Sequence, residues 1–436
     1  MTCDLLVLGS GPAGYYCALE AARAGYRTAL AEKAELGGTG FRWGCLPVKM
    51  ALDELRRASP GRYQSTRSSR AALVRTATRL PEVEWRLEEG LRAAGVVLLR
   101  AEACFQDAHT LTVGGERVRA QIVVIATGTR PAAPAGLALD GERVLSHADL
   151  VRQARVPRSV AVVGADVEGV ELAYLLAGMG ARVELLEKEP EILPGQDRDL
   201  ADPVRDALEA RGVRFRLGTG VVSVEAARRG VAVNQAGGQT LFAERALVTG
   251  LRAPNLPAGL QEAGVACAAD RIPVDESFRT SVPHIYAVGD VNGLCGMAHA
   301  AIQQGLLLPR ALRGGRPAPG NYPSLPRALF TIPEIAGAGL QERELESRGV
   351  VFQCGKTALA DTWRGLSHRL REGFVKVLAA PDGRLLGIWA CAENASELAA
   401  PYGSLLDRGA TAEEVLRGLF IHPSLAEGLL EAVRRL

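Results

Sequence analysis

The sequence predicts an α/β protein with two doubly wound dinucleotide-binding units and a C-terminal α+β domain. Two segments indicate the doubly wound units, because each reads as strand, glycine-rich turn, helix and strand: DLLVLGSGPAGYYCALEAARAGYRTALAEK and SVAVVGADVEGVELAYLLAGMGARVELLEKEP. Such βαβ units are typical of Rossmann-like parallel sheets covered by helices on both faces. The final part differs, since it places the strand-like segments FVKVLAA and RLLGIWAC before helices.

The order of these patterns divides the chain into three predicted domains. Residues 1–155 and 273–320 form a discontinuous first domain, residues 156–272 the second doubly wound domain, and residues 321–436 the C-terminal domain. A Pro-rich segment, RGGRPAPGNYPSLPR, marks the last boundary, because proline and glycine interrupt regular structure.

Composition narrows the classes of function. The chain has 436 residues and a net charge of +2 without a long basic block, which gives no electrostatic case for nucleic acid or a membrane surface. No apolar run approaches the roughly 18 residues of a membrane helix, and Met1 leads directly into an apolar strand, so a cytoplasmic protein is expected. The eight cysteines form no CxxC pair, and neither a disulfide scaffold nor a metal site is expected.

The first glycine-rich turn, GSGPAG, predicts a dinucleotide phosphate cradle. Its glycines permit a tight turn, close approach of the backbone to pyrophosphate and packing of helix on strand. The turn follows a strand and opens a helix, and Glu32 ends the next strand, where it is suited to bind ribose hydroxyls. The predicted cradle residues are Gly9, Gly11, Pro12, Ala13 and Gly14.

Five motifs in series resemble one family. GSGPAG, GGTGFRWGCLPVK, ATGTRP, YAVGD and HPSLAE occur in the order and spacing of the class I pyridine nucleotide-disulfide oxidoreductases, which include dihydrolipoamide dehydrogenase, glutathione reductase and mercuric reductase. The resemblance covers essentially the whole chain. It implies an FAD-dependent oxidoreductase that forms a homodimer, in which the C-terminal domain lends residues to the partner's active site. Further FAD-binding residues that it implies are Gly38, Thr39, Lys49, Thr127, Gly128, Gly289 and Asp290.

The redox segment departs from the family pattern GGxCxxxxCxPxK. Cys45 matches the second cysteine, which in relatives lies against the flavin, whereas Gly40 replaces the first, which attacks the substrate disulfide. A dithiol–disulfide shuttle needs two sulfurs about 2 Å apart, so the usual mechanism is unavailable unless another cysteine substitutes. Cys17 and Cys295 are the two candidates, although each is expected to be a structural thiol.

Four further residues match catalytic positions of the family. Lys49 matches the lysine beside the flavin, and Glu171 matches the acid that pairs with it. Near the C-terminus, IHPSLAE places His422 five residues before Glu427, as in the family's base and its orienting carboxylate. Soluble transhydrogenases, which resemble this family, lack the other redox cysteine and have Tyr at the position of His422.

The second glycine-rich turn, GADVEG, carries conflicting features. Gly164 and Gly169 fit the fingerprint, and Glu187 ends the next strand where it would bind an adenosine ribose. Asp166 stands at the middle glycine position, where a carboxylate about 5 Å from a phosphate costs about 3 kcal/mol at an effective dielectric of about 20. Glu168 adds a second acid. NAD(H) binding is therefore uncertain.

Three functions remain open from the sequence. The first is oxidation or reduction of a thiol, dithiol or persulfide substrate, as a small molecule or on a lipoyl carrier, with Cys45 as a single flavin-side sulfur. The second is hydride transfer between nicotinamide nucleotides, as in a transhydrogenase or diaphorase. The third is a non-catalytic flavoprotein. Neither the substrate nor the direction of electron flow follows from the residues.

Overall fold

The structure is a computed structural model that describes residues 1–58, 69–315 and 322–436. The chain divides into two compact units. The first comprises the described residues within 1–57, 70–156 and 250–320, and the second those within 58–69, 157–249 and 321–436. The predicted three-domain division stays a prediction, and its boundary at 320–321 lies outside the described residues.

The secondary structure has the mixed α/β character that the sequence predicts. The α-helices are α1 (Pro12–Arg23), α2 (Cys45–Ala58), α3 (Ala72–Ala93), α4 (His147–Gln153), α5 (Val167–Gly178), α6 (Arg198–Ala210), α7 (Ala298–Leu312), α8 (Glu342–Ser347), α9 (Trp363–His368), α10 (Ser396–Asp407), α11 (Ala412–Leu416) and α12 (Glu427–Val433). Among the residues described, none of these helices combines the length and apolar character needed to cross a membrane.

The strands alternate with these helices in the first part of each unit. They are β1 (Thr2–Leu8), β2 (Thr28–Ala31), β3 (Val97–Leu99), β4 (Ala103–Phe105), β5 (Thr110–Val113), β6 (Glu116–Ile125), β7 (Thr129–Pro131), β8 (Val144–Leu145), β9 (Ser159–Val163), β10 (Arg182–Leu186), β11 (Arg214–Arg216), β12 (Val221–Ala227), β13 (Gly230–Gln235), β14 (Thr240–Ala243), β15 (Arg245–Val248), β16 (Arg252–Pro254), β17 (Ile285–Ala287), β18 (Arg327–Leu329), β19 (Glu334–Gly339), β20 (Gln353–Ala358), β21 (Phe374–Ala379) and β22 (Leu385–Ala392).

The first unit is built on a sheet in the order β3-β2-β1-β6-β5-β4, with β17 also paired to β6. Strands β1, β2, β3, β6 and β17 pair in parallel. Leu5 and Val7 of β1 pack into the cluster that includes α1, while Cys3 and Leu6 pack into the cluster on the other face. Because both faces are buried, residues 5–8 of β1 form a continuous apolar run.

Parallel pairing determines where the site lies. The carboxyl ends of parallel strands meet at the same edge of a sheet, and ligands bind in the crevice outside that edge. Gly9 follows β1, Ala126 follows β6 and Val288 follows β17, and all three contribute to the lining of one cavity in this unit. Helix α7 can pack closely on α1 because residue 305 is glycine. A Cβ at this position would lie 2.3 Å from the Ala13 carbonyl oxygen.

The second unit contains three sheets. Its doubly wound part has β11-β10-β9-β15 in parallel order, and β12, β13 and β14 form an antiparallel meander. The C-terminal part has the antiparallel order β18-β19-β22-β21-β20. Residues of α10 and α12 pack against this sheet in one apolar cluster.

A buried lysine connects two parts of the second unit. The Lys376 side chain on β21 is fully buried, and its Nζ donates to Asp197 at 2.7 Å, Asp199 at 2.8 Å and Glu342 at 2.7 Å. Burial favours the neutral amine, but the three carboxylates outweigh it and raise the pKa of Lys376. The ammonium therefore occupies the centre of a carboxylate cluster that would otherwise resemble a cation site.

Removing this ammonium is expected to destabilise the second unit strongly. Lys376→Met leaves the buried Asp197 carboxylate, and the partly buried Glu342 carboxylate beside it, without the ammonium and should lower the free energy of unfolding by about 3–5 kcal/mol. Lys356→Met is the matched control, because the Lys356 side chain also pairs with Asp199 but is 41% exposed, so it should cost about 1 kcal/mol or less. Urea unfolding measures both, and equal losses would contradict the role assigned to Lys376.

Candidate functional site

The candidate site is a cavity of about 400 Å³ in the first unit. Its wall is formed by residues from the first glycine-rich turn, the end of β2, the redox segment and the loops that follow β6 and β17. The predicted site residues in this wall are Gly9, Gly11, Pro12, Ala13, Glu32, Gly38, Thr39, Cys45, Thr127, Gly128, Gly289 and Asp290. Parts of the chain far apart in sequence thus converge on one crevice.

The first turn has the geometry that its glycines require. Gly9 has φ +99°, and a Cβ on Gly14 would lie 1.9 Å from the Gly9 carbonyl oxygen, so neither position accepts a side chain. Among the described residues, no heavy atom lies within 4 Å of a Cβ built on Gly11. Since Gly11 lines the cavity, this free space is where a pyrophosphate can approach the start of α1.

Glu32 is fixed at the end of β2. Its Oε2 accepts from the Ser10 backbone N–H at 2.9 Å and the Ser10 hydroxyl at 2.7 Å, and its Oε1 accepts from the Ala34 N–H at 3.0 Å. The carboxylate is thereby held against the glycine-rich turn while it lines the cavity. A fixed acid at this point suits the hydroxyls of a ribose.

A second acid lies in the wall after β17. Burial raises the pKa of Asp290. The Thr129 hydroxyl, which donates to Asp290 Oδ2 at 3.2 Å, and the positive charge of Arg252 both act to lower this pKa, but burial has the larger effect. The preceding residue is also fixed, since the Gly289 N–H donates to Gln304 Oε1 at 2.7 Å. The open turn, the fixed carboxylate of Glu32 and the partly buried carboxylate of Asp290 lie in one crevice, and this set of groups fits FAD.

The redox segment joins this wall. Residues Thr39–Trp43 form a π-helix, and α2 begins at Cys45, which is exposed and lines the cavity together with Gly40. A thiolate is compatible with the first residue of α2, because the positive end of the helix dipole lies there. Lys49, one turn further along α2, lies on the same helical face as Cys45.

Gly40 is packed rather than open. A Cβ at this position would lie 2.3 Å from Cγ of Pro12 and 3.7 Å from Cβ of Ala298. A cysteine there would require the Pro12 ring or the redox segment to move. The loss of the first sulfur is therefore accompanied by close packing of the backbone against the phosphate cradle.

All eight cysteines lie in the described part of the chain, and none of them forms a disulfide there. Cys17 is fully buried on α1, and burial raises its pKa to about 12. Burial also raises the pKa of Cys295, although the Met297 N–H opposes this. Both environments disfavour the thiolate, which is the reactive form of cysteine.

The second unit contains the predicted base. The His422 Nδ1 lies 2.7 Å from Glu427 Oε1, and the Ser424 N–H donates to Glu427 Oε2 at 2.7 Å. Burial by itself would raise the pKa of the Glu427 carboxyl. The hydrogen bonds from the Ser424 N–H and the His422 imidazole outweigh this effect, so the pKa of Glu427 is lowered. The carboxylate therefore holds the proton on Nδ1 and leaves Nε2 to accept another. The His422 side chain is 61% exposed in the single subunit.

Two other predicted residues lie in the second unit. Glu171 on α5 is 4% exposed, and its Oε1 accepts from the Phe330 N–H at 2.9 Å. Its pairing with Lys49 joins the two units and stays a prediction. In the second turn, Glu187 Oε2 accepts from the Ala165 N–H at 2.8 Å, and Asp166 accepts from the Gly169 N–H at 2.9 Å.

Several cavity residues were not anticipated from sequence. His147 is buried in the wall, and its Nδ1 lies 3.0 Å from Arg252 Nη1; because guanidinium only donates, Nδ1 accepts and the ring proton is on Nε2. Trp43 also lines the cavity, with the guanidinium of Arg42 5.1 Å and that of Arg152 4.7 Å from its ring centroid. No motif spacing connects these positions, which are brought together only by the fold.

An aspartate introduced into the first turn tests its role as a cradle. Gly11→Asp should raise the dissociation constant for FAD about a hundredfold, because its carboxylate enters the free space beside the phosphates. Gly220→Asp is the control, since no heavy atom among the described residues lies within 4 Å of a Cβ there. Titration of the apoprotein with FAD measures both variants. Equal affinity of the Gly11 variant and the native protein would place the flavin elsewhere.

Family comparisons agree with this geometry. A family model described as "Pyridine nucleotide-disulphide oxidoreductase" matches residues 3–305, and the family's dimerisation domain matches residues 325–433. "Dihydrolipoyl dehydrogenase 2" from Haloarcula marismortui is 34% identical, with 98% of this chain and 95% of that protein covered. "Dihydrolipoyl dehydrogenase" from Thermus scotoductus is 33% identical, covering 100% of this chain and 97% of the relative.

Solved structures show the same fold. LpdA from Mycobacterium tuberculosis has a TM-score of 0.88 and 27% identity, with 99% of each chain covered. The HOCl-induced flavoprotein disulfide reductase RclA from Escherichia coli has a TM-score of 0.89 over 99% of each chain at 23% identity. The family and its dihydrolipoyl dehydrogenases use FAD and NAD(H), and its dimerisation domain supports a homodimer. The chain belongs to the pyridine nucleotide-disulphide oxidoreductase family and is an FAD-dependent oxidoreductase.

Proposed function

We propose that this enzyme oxidises or reduces a thiol, dithiol or persulfide substrate, with Cys45 as its single flavin-side sulfur. One observation carries the proposal. Cys45 is exposed in the wall of the cavity that also contains the first glycine-rich turn, Glu32 and Asp290, whereas position 40 has no sulfur. A reactive thiol beside a flavin-binding crevice is suited to exchange electrons between sulfur and flavin.

The balance of the reaction assigns a role to each group. A dithiol that becomes a disulfide loses two electrons and two protons, and FAD supplies the two-electron acceptor when it is bound. The first substrate thiolate bonds to Cys45 Sγ, and a bound FAD would accept the two electrons released on forming this S–S bond. The second substrate thiolate then attacks the same bond, closes the substrate disulfide and releases the Cys45 thiolate. Reduction of a disulfide follows the reverse course.

We assign the proton of the first substrate thiol to His422 of the partner subunit. Glu427 holds the imidazole through Nδ1, so Nε2 is the atom that accepts the proton. The second proton goes to solvent. An exposed imidazole next to exposed apolar residues, such as Ile421 at 81% and Leu419 at 102%, supports a position at a subunit interface. The match to the family's dimerisation domain, residues 325–433, includes the imidazole and these apolar residues.

The substrate class is supported by the relatives. Several are named dihydrolipoyl dehydrogenase, which makes a dihydrolipoyl group on a carrier protein, or a small dithiol, the first substrates to test. Transfer of hydride between nicotinamide nucleotides is the second candidate, and the fixed carboxylate of Glu187 favours it. The cytoplasmic location expected from the sequence belongs to the same proposal.

Two substitutions test the sulfur and the base separately. Anaerobic flavin reduction by dihydrolipoamide should fall about 10²–10⁴-fold in His422→Ala, the range typical of a lost general base, and at least as far in Cys45→Ser. Cys267→Ser is the control, because Cys267 is another exposed free thiol of the first unit outside the cavity wall.

The outcomes distinguish the three functions. Unchanged rates in both variants would overturn the proposal. Reduction by NADH that neither substitution affects would favour the nucleotide-transfer alternative. Bound FAD that no thiol or nucleotide reduces would indicate the non-catalytic flavoprotein.

A further inference from the structure

The second glycine-rich turn reproduces the first in backbone geometry. Gly164 has φ +107° where Gly9 has φ +99°, and a Cβ on Gly169 would lie 1.9 Å from the Gly164 carbonyl oxygen, the distance that Gly14 shows to Gly9. The two turns therefore make the same close approach of strand to helix.

The glutamates that follow β2 and β10 also make the same kind of contact with their glycine-rich turns. Glu32 Oε2 accepts from the Ser10 N–H at 2.9 Å, and Glu187 Oε2 accepts from the Ala165 N–H at 2.8 Å. Each acid lies at the end of the strand parallel to the one that enters the turn. The second unit thus retains the ribose end of a dinucleotide site.

The two turns differ at the middle position. Gly11 has φ −63° and ψ −179°, and Asp166 has φ −71° and ψ −175°, so both backbones follow the same path. Among the described residues other than its chain neighbours, no heavy atom lies within 4 Å of a Cβ added at Gly11, and Gly11 lines the cavity. Because the backbones agree, the side chain of Asp166 leaves the second turn in the direction of the corresponding space, where a pyrophosphate would lie.

Asp166 also engages the start of α5. Its Oδ1 accepts from the Gly169 N–H at 2.9 Å, whereas the corresponding N-cap of α1, Gly11, makes no side-chain bond. Glu168 adds an acid in the first turn of α5, and the first turn of α1 has none. The donor that would meet a phosphate is bonded to a carboxylate of the chain itself.

We propose that Asp166 is an internal anion that occupies the phosphate position of the second turn and closes it to dinucleotides. A nicotinamide dinucleotide would have to displace the carboxylate from the Gly169 N–H and meet its charge. The retained Glu187 leaves a site for a nucleoside without a pyrophosphate. Electron exchange then takes place at the cavity that Cys45 lines. This inference is independent of the thiol substrate.

Binding to the FAD-loaded enzyme tests the inference, because FAD fills the first cradle. Calorimetric titrations use NADH, ADP and adenosine. Asp166→Gly should bind NADH and ADP about a hundredfold more tightly than the native enzyme, while the affinity for adenosine stays unchanged. Glycine is a tolerated N-cap, so helix α5 should still begin at the same residue in this variant.

Two further variants complete the design. Asp166→Asn keeps the size and removes the charge, so it should recover only part of the affinity if both charge and bulk exclude the phosphates. Asp270→Gly removes an exposed acid of the first unit and controls for net charge, and it should change none of the three affinities. NADH and ADP affinities that are the same in the native enzyme and Asp166→Gly would overturn the inference, whatever thiol the enzyme uses.

Discussion

The start of a helix has backbone N–H groups with no partner inside the helix, and this structure depends on how they are satisfied at two glycine-rich turns. In the first unit, Gly11 leaves the start of α1 open to the cavity. In the second, the carboxylate of Asp166 already accepts from the Gly169 N–H. The same backbone thus forms a cradle for an external phosphate in one case and encloses an internal anion in the other.

The chemistry of the cavity follows from this asymmetry. The proposed FAD site is the cavity beside the open turn, which the residues after β1, β6 and β17 line because parallel strands end at one edge. Cys45 at the start of α2 contributes a sulfur to the lining of this crevice. Gly40 packs closely against Pro12, so a second sulfur at the usual place would require the Pro12 ring or the redox segment to move. In the proposed reaction, the substrate's own second thiol therefore takes the place of the missing sulfur.

Much of this arrangement could be predicted from the sequence. Both glycine-rich turns, the acids that end their second strands and the pairing of His422 with Glu427 depend on short spacings, and local geometry converts such spacings into contacts. The α/β class was also predictable, because buried parallel strands are continuous apolar runs. These features need little information about how distant segments pack.

The remaining features depend on tertiary packing. The contact of His147 with Arg252 joins residues 105 positions apart, and no local pattern identifies it. A lysine in a strand is usually exposed, but the Lys376 side chain is fully buried. Its burial is possible because Asp197, Asp199 and Glu342 pair with the ammonium, and these partners are distant in sequence. The packing of Gly40 on Pro12 could not be predicted either. The sequence shows that position 40 has no sulfur, but it does not show whether neighbouring atoms fill the volume that a cysteine side chain would occupy.

The most direct measurement is the anaerobic absorption spectrum of the FAD-loaded enzyme, titrated first with millimolar NADH and, in a separate sample, with dihydrolipoamide. The account predicts an oxidised flavin with a long-wavelength charge-transfer band from the Cys45 thiolate. NADH should leave this spectrum unchanged, and dihydrolipoamide should bleach the flavin and abolish the band. Bleaching by NADH at micromolar concentration, with no response to dihydrolipoamide, would contradict it.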